Sequence, residues 1–144
     1  MKVSIFGMGY VGCVTAACLA HMGNEVLCVE EVEEKKRAIK KGNWPIYEQG
    51  LDQLCDRDDS NNFKNVAVNA DSELAISETE ISLVCVGTPN FPDGRVDLSF
   101  LKRTITQIAR AIKRCNKHNV LIIRSTIPPG TTEGPIISIL KKYG

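Results

Sequence analysis

The sequence opens with a short apolar segment, residues 3–6, that leads directly into three glycines with the spacing G-x-G-x-x-G. After a β-strand this spacing is typical of a turn that binds the phosphates of a dinucleotide. Gly7 permits the tight turn, Gly9 lets the backbone approach a pyrophosphate, and Gly12 lets the following helix pack closely on the sheet. The first N–H groups of that helix then face the anion. The segment therefore predicts a strand, a phosphate-binding turn and a helix.

The residues after the glycines support this interpretation. A helix predicted over residues 11–22 places Gly12, Ala16 and Ala20 on one face, and a stripe of small side chains suits close contact with a sheet. A second apolar strand ends at Glu30, about 20 residues beyond the glycines, where a carboxylate would accept hydrogen bonds from the adenosine ribose. The alternative is an ordinary tight turn, but the order of strand, glycines, helix, strand and acid favours a dinucleotide site.

Charge at the end of the second strand favours NAD over NADP. Glu30 and Glu31 would repel the 2′-phosphate of NADP. The basic residues 35–37 follow on the next helix and could neutralise such a phosphate. The alternative for them is a solvated helix face with ion pairs at i, i+4, namely Glu31–Lys35 and Glu33–Arg37.

Composition excludes several other classes of function. The chain has 144 residues, 43% of them hydrophobic, and a formal net charge of +1, which indicates one ordinary domain and argues against binding to nucleic acid. No apolar run approaches the roughly 20 residues needed to span a membrane. The start at Met1 leads into a strand and does not resemble a signal peptide. A cytoplasmic location is therefore expected.

The cysteines and histidines carry no recognisable catalytic or metal-binding pattern. The six cysteines form no C-x-x-C pair and no Cys/His cluster at metal spacing, so we expect no metal site, no disulfides and mostly buried thiols. His21 and His118 have no carboxylate or cysteine at a suitable spacing, and no catalytic role is assigned to them. The cysteines are Cys13, Cys18, Cys28, Cys55, Cys85 and Cys115.

Strand and helix patterns alternate along the whole chain. This alternation predicts an α/β fold in a single domain, a Rossmann-type doubly wound parallel sheet with helices on both faces, whose ligand crevice lies outside the carboxyl ends of the strands. A polar turn is expected at residues 56–62. Strands are predicted over residues 3–6, 25–29, 66–68, 81–86 and 120–123, and helices over residues 11–22, 32–41, 51–57, 98–115 and 132–143.

Two threonines follow the last two predicted strands and would reach that crevice. The hydroxyl groups of Thr88 and Thr126 could bond a cofactor, or they could cap the helices that follow, and the sequence leaves both interpretations open. Asp97 is expected to be the N-cap of the helix over residues 98–115. The basic residues of that helix, Arg103 among them, are predicted to be solvated, and Cys115 is predicted to lie in the core.

Several ordered motifs together resemble the UDP-glucose/GDP-mannose dehydrogenases, and the resemblance spans the whole chain. Enzymes of that family oxidise the C6 alcohol of a sugar nucleotide to a carboxylate by two hydride transfers to two NAD⁺, through a covalent thiol intermediate. The motifs are GMGYVG, Glu30, PIYEQGL at 45–51, VCVGTP at 84–89, DGRVDLSFL at 93–101 and RSTIPPGTT at 124–132.

The resemblance implies specific contacts with the cofactor. Tyr10 and Val11 would line the pyrophosphate turn, and Glu30 and Lys35 would hold the adenosine ribose. Thr88 and Thr126 would contact NAD, with Thr126 also near the reacting thiol. Two departures are small: Glu30 stands where the family usually has aspartate, and the loop has Gln49 where the family usually has proline.

A larger departure concerns catalysis. The family's nucleophilic cysteine, in a G-x-C-F-G-G motif, and its catalytic lysine and asparagine belong to later segments that this chain does not contain, and none of its six cysteines replaces the nucleophile. The resemblance therefore implies an amino-terminal NAD-binding domain, residues 1–144, that does not turn over alone. A sixth strand, a connecting helix and the sugar-nucleotide domain would follow Gly144 in a complete member.

Two alternatives stay open at this point. One is the first domain of another NAD-dependent dehydrogenase, such as the β-hydroxyacid type, and the other is a non-catalytic NAD-binding or regulatory module. Without a sixth strand, the strand over residues 120–123 would be an unprotected edge. We therefore expect self-association into homo-oligomers through that edge, or poor solubility.

Overall fold

A computed structural model describes residues 1–58 and 60–144. Five parallel strands form one sheet in the order β3-β2-β1-β4-β5. The strands are β1 (Lys2–Phe6), β2 (Glu25–Val29), β3 (Val66–Asn69), β4 (Ile81–Val84) and β5 (Val120–Ile123). The α-helices are α1 (Tyr10–His21), α2 (Glu33–Lys40), α3 (Ser72–Glu78), α4 (Ser99–Cys115) and α5 (Ile137–Tyr143).

Helices cover both faces of the sheet, and each face has its own apolar core. On one face, Ala16 of α1 and Ile39 of α2 pack with inward-facing strand residues such as Ile5. On the other face, α3, α4 and α5 pack with strand residues such as Phe6. Successive strand side chains point to opposite faces, which is why neighbouring residues of β1 serve different cores. This architecture confirms the predicted Rossmann-type doubly wound sheet.

Strand β4 is shorter than the predicted 81–86, since it ends at Val84. Both neighbouring strands turn away at that point. On the β1 side, the chain turns at Gly7, which has a φ of +94°. On the β5 side, the N–H groups of Arg124 and Ser125 both donate to the carbonyl of Val84, at 2.8 and 3.1 Å. The residues after Val84 therefore leave the sheet and line a crevice at its carboxyl edge.

The helix predicted over residues 51–57 is wrong, because only a single 3₁₀ turn, Leu51–Gln53, forms there. Arg57 instead pairs with Phe63 in an isolated antiparallel bridge, and its guanidinium donates to the carbonyls of Gly42 and Asn61. The polar turn expected at 56–62 is present in its described part, where the Asp58 carboxylate accepts from two later N–H groups. Asp59, within that predicted turn, lies outside the described residues.

Three further expectations need correction. Leu98, and not Asp97, is the residue that precedes α4, although the Asp97 carboxylate accepts a hydrogen bond from the Ser99 N–H at 2.8 Å. The helix predicted over 132–143 begins as a π-helical turn, Thr132–Ile136, because Pro135 has no N–H to give an α-helical bond. Cys115 is half-buried against the core and not fully within it.

None of the helices in the described part of the chain combines the length and the apolar character needed to cross a membrane.

Strand β5 forms one edge of the sheet, as predicted, and its outward side chains Val120 and Ile122 are 47% and 40% exposed. Unpaired backbone groups along an apolar edge can pair with a second chain. We therefore expect the apparent mass to rise with concentration in static light scattering, and Ile122→Lys to reduce that rise by placing a charge on the edge. A wild-type chain that stays monomeric at high concentration would contradict this expectation.

Candidate functional site

A cavity of about 370 Å³ opens at the carboxyl edge of the sheet, beside the glycine turn. One wall is the turn itself, with Gly7 and Gly9, and a second wall is the end of β2, from Glu30 to Val32. Helix α4 contributes Phe100, Arg103 and Gln107 to the opposite side. This is the place where open α/β sheets bind their ligands, and the volume is in the range of small-molecule sites.

Glycine is required at each of the three positions of the turn for a different structural reason. A Cβ on Gly7 would lie 3.0 Å from Val86 in a left-handed backbone conformation, and a Cβ on Gly12 would collide with the carbonyl oxygen of Gly7. Gly7 and Gly12 are therefore required for the turn and the helix to pack together. A Cβ on Gly9 would meet no atom of the described residues within 4 Å, so the space beside Gly9 is open to the cavity. That open space is the cradle that a pyrophosphate requires.

The start of α1 provides donors for an anion. The first intrahelical bond runs from the Cys13 N–H to the Gly9 carbonyl at 2.9 Å, and within the described residues no side chain caps this helix end. The N–H groups of Tyr10, Val11 and Gly12 therefore precede the intrahelical ladder, and the helix dipole adds a partial positive charge there. These donors and the open cradle fit the pyrophosphate of a dinucleotide.

Tyr10 and Val11 contribute their backbone to the turn, but their side chains point elsewhere. Both side chains are exposed and line a neighbouring groove, together with Glu48 and Arg124. The backbone N–H groups of these two residues could therefore make the predicted contact with the pyrophosphate. The aromatic ring of Tyr10 could not, because it lies on the outside of α1.

Glu30 has a second role that the sequence interpretation missed. Its side chain is buried, and its two carboxylate oxygens accept hydrogen bonds from the N–H groups of Met8 and Val32, each at 2.9 Å. The ammonium of Lys35 lies 3.7 Å from the same carboxylate. Glu30 therefore ties the glycine turn to the end of β2, in addition to facing the cavity. Its predicted contact with the ribose, and that of Lys35, stay predictions.

The ion pairs that the alternative interpretation places along α2 are not the ones that form. Lys35 pairs with Glu30, and Glu33 pairs with Lys36. Glu31 instead reaches across the cavity to α4, where the Arg103 guanidinium donates to its carboxylate at 2.6 Å. The expectation that the basic face of α4 is simply solvated is therefore wrong for Arg103.

Thr88 and Thr126 lie on two loops that a hydrogen bond joins. The Thr88 hydroxyl donates to the carbonyl of Thr126 at 2.7 Å, so it joins the loop after β4 to the loop after β5 and does not cap a helix. Gly87 and Pro89, on either side of Thr88, line the cavity, while the Thr126 side chain is exposed. The structure brings the two threonines together, and their contact with a cofactor stays a prediction.

The buried cysteines are packing residues. Burial raises the pKa of Cys13 to about 12 and the pKa of Cys55 and of Cys85 to about 11, and it raises the pKa of Cys28 further. These four thiols therefore stay protonated near neutral pH, which makes them poor nucleophiles. In the described residues no three acidic, cysteine or histidine side chains come together as a metal site.

The parallel sheet, the open glycine cradle and the acid at the end of β2 define a dinucleotide-binding domain of the Rossmann class. The chain belongs to the UDP-glucose/GDP-mannose dehydrogenase family, whose NAD binding domain matches residues 1–143. This membership identifies the cofactor as NAD and confirms the predicted resemblance.

Individual relatives agree with this assignment. The chain is 33% identical over 141 residues to GDP-mannose 6-dehydrogenase of Pseudomonas aeruginosa, covering 98% of this chain and 32% of the relative. It is 35% identical over 133 residues to UDP-glucose 6-dehydrogenase of the same species, covering 92% and 28%.

A solved structure gives the same result. A ternary complex of GDP-mannose dehydrogenase from Pseudomonas aeruginosa superposes with a TM-score of 0.91 at 33% identity, covering 99% of this chain and 32% of that one. The chain thus spans about a third of the length of the curated relatives it matches.

Proposed function

We propose that this chain is the NAD-binding part of a nucleotide-sugar 6-dehydrogenase, of the UDP-glucose or GDP-mannose type. The whole enzyme would oxidise the C6 alcohol of the sugar to a carboxylate with two NAD⁺. The observation that carries the proposal is the open cradle at Gly9, bounded by the uncapped start of α1 and by Glu30. Membership of the dehydrogenase family supports it.

The chain's own residues would bind and orient the cofactor. The N–H groups at the start of α1 would hold the pyrophosphate, and Glu30 and Lys35 would hold the adenosine ribose. Thr88 and Thr126, which a hydrogen bond joins, would contact another part of the cofactor, with Thr126 near the catalytic thiol of the whole enzyme. NAD⁺ supplies hydride acceptance, whereas the thiol and the sugar site would come from segments outside this third of the enzyme.

The alternatives raised by the sequence have weaker support. A β-hydroxyacid dehydrogenase would share the Rossmann sheet, but the family match over residues 1–143 is to the sugar-nucleotide enzymes. A non-catalytic module would share the cradle as well, and a measurement of the activity of the whole protein would distinguish such a module from an enzyme.

A cytoplasmic location belongs to the proposal, since the six cysteines are free thiols and suit a reducing compartment.

We expect the chain to bind NAD⁺ without reducing it. Hydride transfer requires a positioned substrate and thiol, so mixing the chain with NAD⁺ and either GDP-mannose or UDP-glucose should give no increase in absorbance at the NADH band. Calorimetric titration of the same sample should show saturable NAD⁺ binding. Absence of NAD⁺ binding would contradict the proposal, and steady NADH formation would contradict the assignment of the thiol to another segment.

A further inference from the structure

Glu31, Arg103 and Gln107 form a hydrogen-bonded cluster in the wall of the cavity. The carboxylate of Glu31 accepts from the Arg103 guanidinium at 2.6 Å and from the Gln107 amide at 3.2 Å. All three residues line the cavity that contains the glycine turn. The cluster joins the end of β2, where the adenosine ribose binds in this class of fold, to the outer part of α4.

The two acids at the end of β2 are in different environments. Glu30 is buried, and its oxygens are already satisfied by two backbone N–H groups and by nearby Lys35. Glu31 is 52% exposed at its side chain, and its partner Arg103 is 57% exposed. An ion pair this exposed contributes little to stability, so its guanidinium can exchange one anionic partner for another.

We propose that Glu31 sets the preference for NAD over NADP by occupying Arg103, which would otherwise bind the 2′-phosphate of NADP. The planar guanidinium matches phosphate oxygens with two parallel N–H bonds, and an arginine near the ribose is the usual partner of a 2′-phosphate. Glu31 blocks this use in two ways, because it holds the guanidinium and because its own charge repels the phosphate. The inference deepens the proposed function and rests on the cofactor site.

The other nearby cations are less suited to the role. Lys35 already lies 3.7 Å from the buried carboxylate of Glu30. Lys36 is paired with Glu33 on the same helix. Arg103 also lies against the Phe100 ring, with its Cζ 5.6 Å from the ring centroid, and this contact helps to hold the guanidinium at the cavity. Removal of the Glu31 charge would therefore make Arg103 the cation that is available to bind a 2′-phosphate.

Calorimetric titration of wild type and Glu31→Gln with NAD⁺ and NADP⁺ tests the inference. The wild type should bind NAD⁺ at least about tenfold more tightly than NADP⁺. Glu31→Gln should bind NADP⁺ about tenfold more tightly than the wild type does, with NAD⁺ affinity within about threefold, since glutamine keeps the size of the side chain and loses only the charge. The gain should shrink as ionic strength rises.

Two double variants identify the cation. The gain should be lost in Glu31→Gln with Arg103→Met and kept in Glu31→Gln with Lys36→Met, since Lys36 is paired with Glu33. Unchanged NADP⁺ affinity in a Glu31→Gln variant that still binds NAD⁺ would overturn the inference alone, as would a gain that persists when Arg103 is also replaced by methionine. A wild type that binds neither cofactor would instead overturn the proposed function, together with the inference.

Discussion

Replacing Gly12 by alanine is expected to lower the free energy of unfolding by about 3 kcal/mol, the upper end of the usual cost of overpacking. The added Cβ would collide with the carbonyl oxygen of Gly7 and lie 3.1 Å from its carbonyl carbon. Both neighbours are backbone atoms of a tight turn, so neither can rotate out of the way. Helix α1 would have to move off the turn, and its buried residues Ala16 and Ala20 would lose their contact with the sheet.

Urea unfolding measures this effect, and the chain carries its own probe. Trp44 is the single tryptophan, and it is buried and stacked on Phe63 with ring centroids 4.5 Å apart. The matched control is Gly9→Ala, where the added Cβ meets no atom within 4 Å and stability should change by about 0.5 kcal/mol or less. Equal midpoints for Gly12→Ala and the wild type would show that the turn can relax around a methyl group.

Local patterns in the sequence predict the fold because most of its helices and strands are determined by residues that are close together in the chain. The small side chains at positions 12, 16 and 20 predicted the face of α1 that packs on the sheet, and Ala16 and Ala20 are buried there. The strand β4 shows the limit of this approach. Its apolar run continues through residue 86, but its end is set by Gly7 on one side and Arg124 on the other, and only the assembled sheet brings those residues together.

The candidate site likewise combines features that a local motif predicts with contacts that only the folded chain creates. The glycine spacing and the acid after β2 can be found in the sequence, since each belongs to one continuous motif. The partner of Glu31 cannot, because Arg103 lies 72 positions away and becomes its neighbour only when the chain folds. The rule for neighbours at i, i+4 therefore assigned Glu31 to Lys35, which the structure places beside Glu30. Long-range pairing across the cavity decides these contacts.

The second large effect is expected at Gly9, where replacement by valine should weaken NAD⁺ binding by about a hundredfold or more, equivalent to about 2.7 kcal/mol. The two methyl groups would fill the open space beside the start of α1, where the pyrophosphate must approach the backbone. The fold should tolerate the change, because Gly9 has an extended backbone with φ of −90° and no atom within 4 Å of its Cβ position. Calorimetric titration with NAD⁺ measures the loss.

Unfolding of the same variant in urea separates lost binding from lost structure. Valine is a poor residue at a helix N-cap, so a decrease in stability of about 1 kcal/mol or less is consistent with an intact fold. Gly9→Ala provides the graded control, since one methyl group should weaken NAD⁺ binding less than valine does. If Gly9→Val binds NAD⁺ as tightly as the wild type, the pyrophosphate does not approach Gly9, and the glycines serve only to let β1 turn into α1.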